Sequence, residues 1–219
     1  AQQFIPSYFA QIPEMLNALP PVNFKPQNKT LVGGGTDLYV QNHAQLIDQN
    51  VDIISNTPNL CCIEIENGVC TLGAGITATD LLESNNFQSA FPRLKNHLKL
   101  VASSPIRNMA TIGGNFVNAS PIGDFTAFFL ALNAKIKLTK NSDSRSIYLN
   151  DFYKGYKDLD KSPDEILSTI SFKLPTQDSH FNFEKVSKRI HLDIASVNTA
   201  IQLTVTKNKI TQSHISAGG

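Results

Sequence analysis

The sequence predicts an α+β fold, with a small α/β unit first and antiparallel hairpins later. Three stretches predict it. KTLVGG, TDLYVQNHA and VDIISN, all before residue 57, read as strand, helix and strand, the pattern of a small parallel unit. LCCIEIENGVCTLGAG, residues 60–75, sets two β-rich runs on either side of Asn67-Gly68, a pair that suits a type I′ hairpin turn. The tail from Phe181 to Gly219 holds two or three further strands, with Asn208 in the turn between the last two.

The remaining elements follow in chain order. YFAQIPEMLNAL, residues 8–19, suggests a short helix with Pro13 near its start. Residues 20–29, with Pro20, Pro21 and Pro26, read as a linker, as do residues 175–181. Thr36 is the expected cap of the helix after the first strand. Cys61 and Cys62 are expected in a strand, pointing to opposite faces, with Cys70 across the hairpin from one of them. In ITATDLLESN, Thr77 stands three residues before Asp80, as in a capping box. FPRLKNHLKLVA continues as helix, apolar at Leu94, Leu98 and Val101, and Pro105 ends it. PIGDFTAFFLALNA reads as a buried helix, and AKIKLTKNSDSRSIYL as a hairpin with a long polar tip. SPDEILSTISFKLP opens on a Ser-Pro-x-Glu helix-start signature and then becomes a strand.

Composition narrows the function. The 219 residues are 41% hydrophobic and 17% charged, the balance of a soluble globular protein, and the net charge is +1. Lys and Arg are scattered, which argues against a nucleic-acid partner. No run of 18 apolar residues exists, so no membrane span is expected, and the N-terminus has no signal-peptide pattern. Three cysteines without an even framework favour reduced thiols and a cytoplasmic location. His43, His97, His180, His191 and His214 show no paired metal spacing, and no metal site or catalytic side-chain set is expected. The chain lacks an initiator Met and ends on SAGG, which resembles the start of another element; a piece of a longer protein is expected.

Two glycine-rich segments carry the chemistry. Gly33, Gly34 and Gly35, followed by Thr36 and Asp37, sit between a strand and a helix N-terminus. Bare backbone N–H groups there can converge on an anion, helped by the helix dipole. Alone, the cluster reads more readily as a tight strand-to-helix turn without a ligand. It matches neither G-x-G-x-x-G nor a P-loop, and no Gly-Lys pair occurs. The second segment, TIGGNFVNASPIGD, supplies Thr111, Gly113, Gly114, Asn115, Asn118 and Ser120, then Asp124. Asp124 either accepts from ligand hydroxyl or ring N–H groups or caps the helix DFTAFFLAL. Two such loops and one acid suit a dinucleotide whose diphosphate is shared by main-chain amides of both loops.

GGGTDLYV, TIGGNFVNASPIGD, DFYKGYKDLDKSPDEIL and FEKVSKRIHLDIASVNTA, in this order, resemble the FAD-binding domain of the xanthine dehydrogenase and molybdenum hydroxylase family, of the bacterial xanthine dehydrogenase small-subunit type. The resemblance implies a two-subdomain FAD-binding fold of the vanillyl-alcohol-oxidase/MurB kind (PCMH-type). It divides the chain into residues 1–53 and 54–176 as FAD-binding subdomains and 177–219 as the start of a truncated antiparallel C-terminal domain. It implies that Val32, Gly33, Gly34, Gly35, Thr36 and Asp37 wrap the diphosphate. Thr111, Gly114 and Asn115 would hold the phosphate and ribitol side, and Asp124 the adenosine ribose or nearby polar groups, while Asn118 and Ser120 count among the cofactor-binding polar residues. Val101 and Ala102 match positions near the flavin, Leu167 and Lys185 positions beside its ring, and Arg189 and Asp193 a loop at its edge.

The same resemblance implies non-covalent FAD and electrons arriving from iron–sulfur clusters and leaving to NAD⁺ or O₂. The iron–sulfur domain and molybdopterin subunit would be partners in a hetero-oligomer, since this chain has no C-x-x-C pattern and no molybdopterin segment. The rival readings are a free-standing FAD oxidase of the same fold and an assembly module that keeps the fold without the flavin.

Overall fold

A computed structural model of the chain describes residues 4–20, 30–55 and 57–219. The N-terminal helix comes in two pieces, a 3₁₀ turn over Ser7–Gln11 and α1 over Ile12–Asn17, with Pro13 in its first turn, where the missing N–H leaves no bond unmade. Of the 20–29 linker, only Pro20 lies within the described residues. β1 (Thr30–Val32) and β2 (Val51–Ile53) then pair in parallel, joined by α2 (Leu38–Leu46), as the strand–helix–strand reading expects.

The central layer is a five-stranded antiparallel sheet. β3 (Ile63–Glu66) and β4 (Val69–Gly73) form the expected hairpin, with positive φ at Asn67 and Gly68. β5 (Lys135–Lys140) and β6 (Asp143–Tyr148) form a second, and β9 (Ile166–Lys173) joins the two in the order β3-β4-β9-β5-β6. Alternation does the sorting: Ile136 and Leu138 of β5 are buried while Lys135 and Lys137 face out. The tip between β5 and β6 is a tight two-residue turn with Asn141 at φ 53°, because Lys140 pairs with Asp143, so the long tip expected there is absent. Cys61 and Cys62 precede β3 rather than lying in it. Cys70 pairs with Ile65, and burial pushes its thiol up to about 12.

Short helices cover the apolar face of this sheet. α3 (Ala78–Glu83) starts at Thr77 with both bonds of the capping box, and α4 (Asn85–Ala90) and α5 (Leu94–Lys99) follow. Pro105 ends nothing: α5 has already stopped at Lys99, and Pro105 stands in the first turn of α6 (Ser104–Arg107). α7 (Ile112–Asn118) and α8 (Asp124–Ala131) complete the layer. A small α9 (Leu149–Phe152) leads to β7 (Tyr153–Gly155) and β8 (Asp158–Leu159). The helix signalled by Ser-Pro-x-Glu is a single turn. The Ser162 amide donates to the Glu165 side chain at 2.8 Å, and the Glu165 carboxylate is held from outside by Arg145 at 2.6 Å.

The third layer is the antiparallel sheet β10 (Ser179–Val186), β11 (Val197–Thr206) and β12 (Lys209–Gly218), with Lys207 and Asn208 in the last turn. SAGG belongs largely to this closing strand rather than to a new element. α8 lies between the two sheets. Phe129 meets Phe172 of β9 at 5.4 Å, and Phe128 meets Phe181 of β10 at 4.5 Å. Packing on both sides explains why this helix is apolar all round. Phe87, Phe91, Phe116, Phe181 and Phe183 extend the same core.

Candidate functional site

The two glycine segments meet. A Cβ on Gly34 would overlap the carbonyl of Met109, and one on Gly33 would lie 2.7 Å from Oγ1 of Thr111. Gly113 in turn rests on Ala74 at the end of β4, and its N–H donates to that residue's carbonyl at 2.9 Å. Bare backbone is needed here so that chain can touch chain. Gly35 adds a positive φ of 68° and packs against the Tyr39 ring.

The amides divide unequally between the two loops. Those of Gly33, Gly34, Gly35, Thr36 and Asp37 find no acceptor among the described residues. Those opening α7 are engaged: Ile112 to Ile76, Gly113 to Ala74, Gly114 to the Thr111 hydroxyl at 3.1 Å and Asn115 to the Thr111 carbonyl. The expectation that both loops offer free amides to one diphosphate is therefore corrected. The first loop leaves its amides without acceptors among the described residues, and the second spends its own on Ala74 and Ile76 after β4 and on Thr111 at the start of α7. The Thr36 cap is corrected too, because α2 begins at Leu38, its cap position is Asp37, and no side chain caps it.

Between these elements lies a cleft of about 910 Å³, toward the upper end of the ~300–1,000 Å³ usual for ligand sites. Gly33, Gly34, Gly35, Thr36 and Asp37 line it from one side, and Thr111, Gly113, Gly114, Asn115 and Asn118 from α7. Leu167 lines it from β9. Val32 is buried at the end of β1, just behind the loop.

The other residues singled out in the sequence lie away from this cleft. The Arg107 guanidinium binds the carbonyls of Val101 and Ala102 at 2.8 and 2.7 Å, and Ala102 has φ 46°. The Ser120 hydroxyl accepts from the Ile122 amide. Asp124 does not cap α8: the cap position is Gly123, and the third amide of the helix is taken by Oδ1 of Asn115, which accepts from Thr126 at 3.1 Å. That leaves the Asp124 carboxylate for Lys185 and Asn198. Arg189 and Asp193 bind each other within one loop, holding the Asp193 carboxyl down at about 2.

Structure adds lining residues that the sequence reading passed over, among them Gln41, Lys157, Lys161 and Asp164. The two lysines belong to DFYKGYKDLDKSPDEIL, a segment the sequence had marked, but nothing in its spacing says that it folds back over the glycine loop. Burial lowers the pKa of Lys161.

Fold and cleft together define an α+β domain with a glycine-lined cleft. The chain belongs to the family described as the FAD binding domain in molybdopterin dehydrogenase, which residues 2–176 match. It is 29% identical over 202 residues to the xanthine dehydrogenase FAD-binding subunit of Escherichia coli O157:H7, covering 88% of this chain and 67% of that protein. Against the xanthine dehydrogenase of Oryza sativa subsp. japonica it is 29% identical over 194 residues, 82% of this chain but 14% of that protein. The fold superposes, with a TM-score of 0.81 at 22% identity, on carbon monoxide dehydrogenase from Hydrogenophaga pseudoflava lacking the Mo-pyranopterin moiety. That likeness covers 88% of this chain and 67% of the other. Among the described residues, no helix is long and apolar enough to cross a membrane.

Proposed function

We propose that this chain binds FAD non-covalently in the glycine-lined cleft and serves as the flavin-carrying component of a xanthine dehydrogenase-type molybdenum hydroxylase. The observation that carries the reading is the run of five residues, Gly33 to Asp37, that line a cleft at the start of a helix and whose amides have no acceptor among the described residues. These would hold the diphosphate. Asn118, Thr111 and Leu167 line the remainder and would position the ribitol and ring side. Bound FAD would supply the redox chemistry, accepting electrons singly and releasing them as a pair. The protein's part is to bind, orient and exclude water.

On this reading electrons come from iron–sulfur clusters on a partner domain, a partner subunit holds molybdopterin, and the acceptor is NAD⁺ or O₂, in a cytoplasmic hetero-oligomer. The PCMH-type division into residues 1–53 and 54–176, followed by 177–219 as the start of a C-terminal domain, belongs to the same reading. So do contacts from Val101, Ala102, Ser120, Asp124 and Lys185, which require the flavin to extend beyond the cleft lining.

One observation favours the scaffold reading, in which the fold persists without flavin: the α7 amides are already satisfied by Ile76, Ala74 and Thr111, and Asp124 and Lys185 by each other. Titration of FAD into the purified chain, followed by flavin fluorescence quenching, decides. Saturable binding with a bleachable yellow spectrum supports the flavin site. No binding at high micromolar FAD overturns it.

A further inference from the structure

The charges around the cleft do not suit an anion through backbone amides alone, because the carboxylates of Asp37 and Asp164 also line it. Two ammonium groups line the same cleft, Lys157 and Lys161. The carboxylates nearest in sequence to Lys161 are committed to other cations. Asp160 pairs with Arg145 at 3.1 Å and with Lys154 at 3.4 Å, Glu165 pairs with Arg145 at 2.6 Å, and Asp164 pairs with Lys140. Lys161 itself donates to the Ser162 carbonyl at 3.1 Å and is half-buried. Glu165 and Asp164 act on the Lys161 ammonium only from beyond ion-pair distance, and a partly desolvated ammonium with no ion pair among the described residues is poised for an anion.

Lys157 lines the same cleft and is tied to the helices that flank it. Its Nζ donates to Oε1 of Gln41 at 3.3 Å, and Nε2 of Gln41 donates to Oδ1 of Asn118 at 3.2 Å. Gln41 is one turn into α2, the helix that opens at Asp37 beside the free amides, and Asn118 closes α7. The segment carrying both lysines is braced from β6: Arg145 grips Glu165, Asp160 and the Asp160 carbonyl.

We propose that Lys157 and Lys161 are diphosphate-binding residues, supplying from the β7–β9 segment the positive charge that the glycine loop lacks. Lys157 exchanges its weak bond to Gln41 for a phosphate oxygen, and Lys161 pairs with the same diphosphate. The glycine loop and the lysine segment, more than a hundred residues apart in sequence, thus form two jaws on one anion. This rests on the flavin reading above and names residues that reading does not.

The test is a binding titration by calorimetry at two salt concentrations. FAD, ADP and riboflavin are added to the unaltered chain and to Lys157→Gln, Lys161→Gln, Lys161→Arg and Lys154→Gln, the last removing a cation that pairs with Asp160 outside the cleft. Thermal unfolding without ligand checks that each variant is folded. FAD and ADP affinity are expected to fall about tenfold in each cleft-lysine Gln variant, the scale of one charge-assisted contact, with a smaller salt dependence. Riboflavin, which carries no phosphate, is expected to bind all variants alike, and Lys161→Arg and Lys154→Gln to resemble the unaltered chain. Equal FAD affinity in the unaltered chain and both Gln variants sinks the lysine assignment and leaves the flavin reading standing. An equal loss for riboflavin also overturns it, because the effect would then not run through phosphate. An unaltered chain that binds neither FAD nor ADP overturns both.

Discussion

Nζ of Lys185 lies 2.7 Å from Oδ2 of Asp124, joining the C-terminal sheet to the first residue of α8. The two side chains are 4% and 12% exposed, so this is a buried ion pair, and Asn198 donates to the other carboxylate oxygen at 2.9 Å. Asn198 also donates to the Ile122 carbonyl, and Gly218 packs so closely on Pro121 that a Cβ there would overlap its carbonyl. The SPIGD turn is thus clamped by the strands that end the chain.

Breaking that pair should cost stability before any ligand is considered. Lys185→Met leaves a buried carboxylate without its cation, a loss of about 3–5 kcal/mol. The double replacement Lys185→Met with Asp124→Leu should recover part of it. Urea unfolding of the ligand-free protein measures both. Equal stability of Lys185→Met and the unaltered chain would refute the structural role.

Gly34→Val follows the same logic. A side chain at this position meets the Met109 carbonyl, so the two glycine segments must part to admit it. The variant should lose thermal stability without FAD, in the several-degree range that ~1–3 kcal/mol produces in a domain of this size. Loss of cofactor binding in Gly34→Val therefore reports the loop–loop contact as well as the diphosphate. A melting temperature equal to that of the unaltered chain would contradict the contact.

Glu165 sets part of the acid limit. Arg145 beside it, reinforced by the Ser162 amide, holds its carboxyl at about 2, against 4.5 for the unperturbed group. The folded value is the lower one, so the stabilisation is full above the unfolded value and drains away as pH falls from about 4.5 toward about 2. Arg145→Met should move acid unfolding to higher pH. Circular dichroism during acid titration reads the shift, and an unmoved midpoint would show that the pair contributes nothing.

His97 works on the other side of neutrality. It is buried against Phe128, Phe181 and Phe183, and neither ring nitrogen finds a hydrogen-bond partner among the described residues. Burial lowers its pKa, Arg93 lowers it further, and Asn182 and Glu184 oppose them. A base whose folded pKa is depressed is protonated first in the unfolded chain, so stability falls as pH drops below the ordinary histidine value of about 6.5. His97→Phe should flatten the decline between about pH 7 and 5 while keeping the aromatic packing. Denaturation series at several pH values would show it; an unchanged slope would rule out the effect.

Much of the fold was legible because it is written in local signals. Thr77 and Asp80 are three residues apart and form the capping box, and Asn67-Gly68 adopts the positive φ angles that the turn demands. Two failures share one cause. Ser162 to Glu165 looks like a helix start, yet the Glu165 carboxylate is claimed by Arg145 from another strand. Asp124 looks like a cap, yet Asn115 does that work from α7. In each case a distant group outbid a local preference worth about 1 kcal/mol.

By itself, then, the sequence determined the capping box, the Asn67-Gly68 hairpin, the strand–helix–strand unit and the alternating strands, because those choices rest on torsional freedom and polar alternation within a few residues. It also carried the motifs that place the chain in its family. Only the tertiary structure decided which amides stay free, which carboxylates are already matched and which lysines face the cleft. Hydrogen bonds and ion pairs saturate, and whether Gly33 or Gly113 keeps an unengaged N–H depends on which carbonyl the folded chain brings within 3 Å.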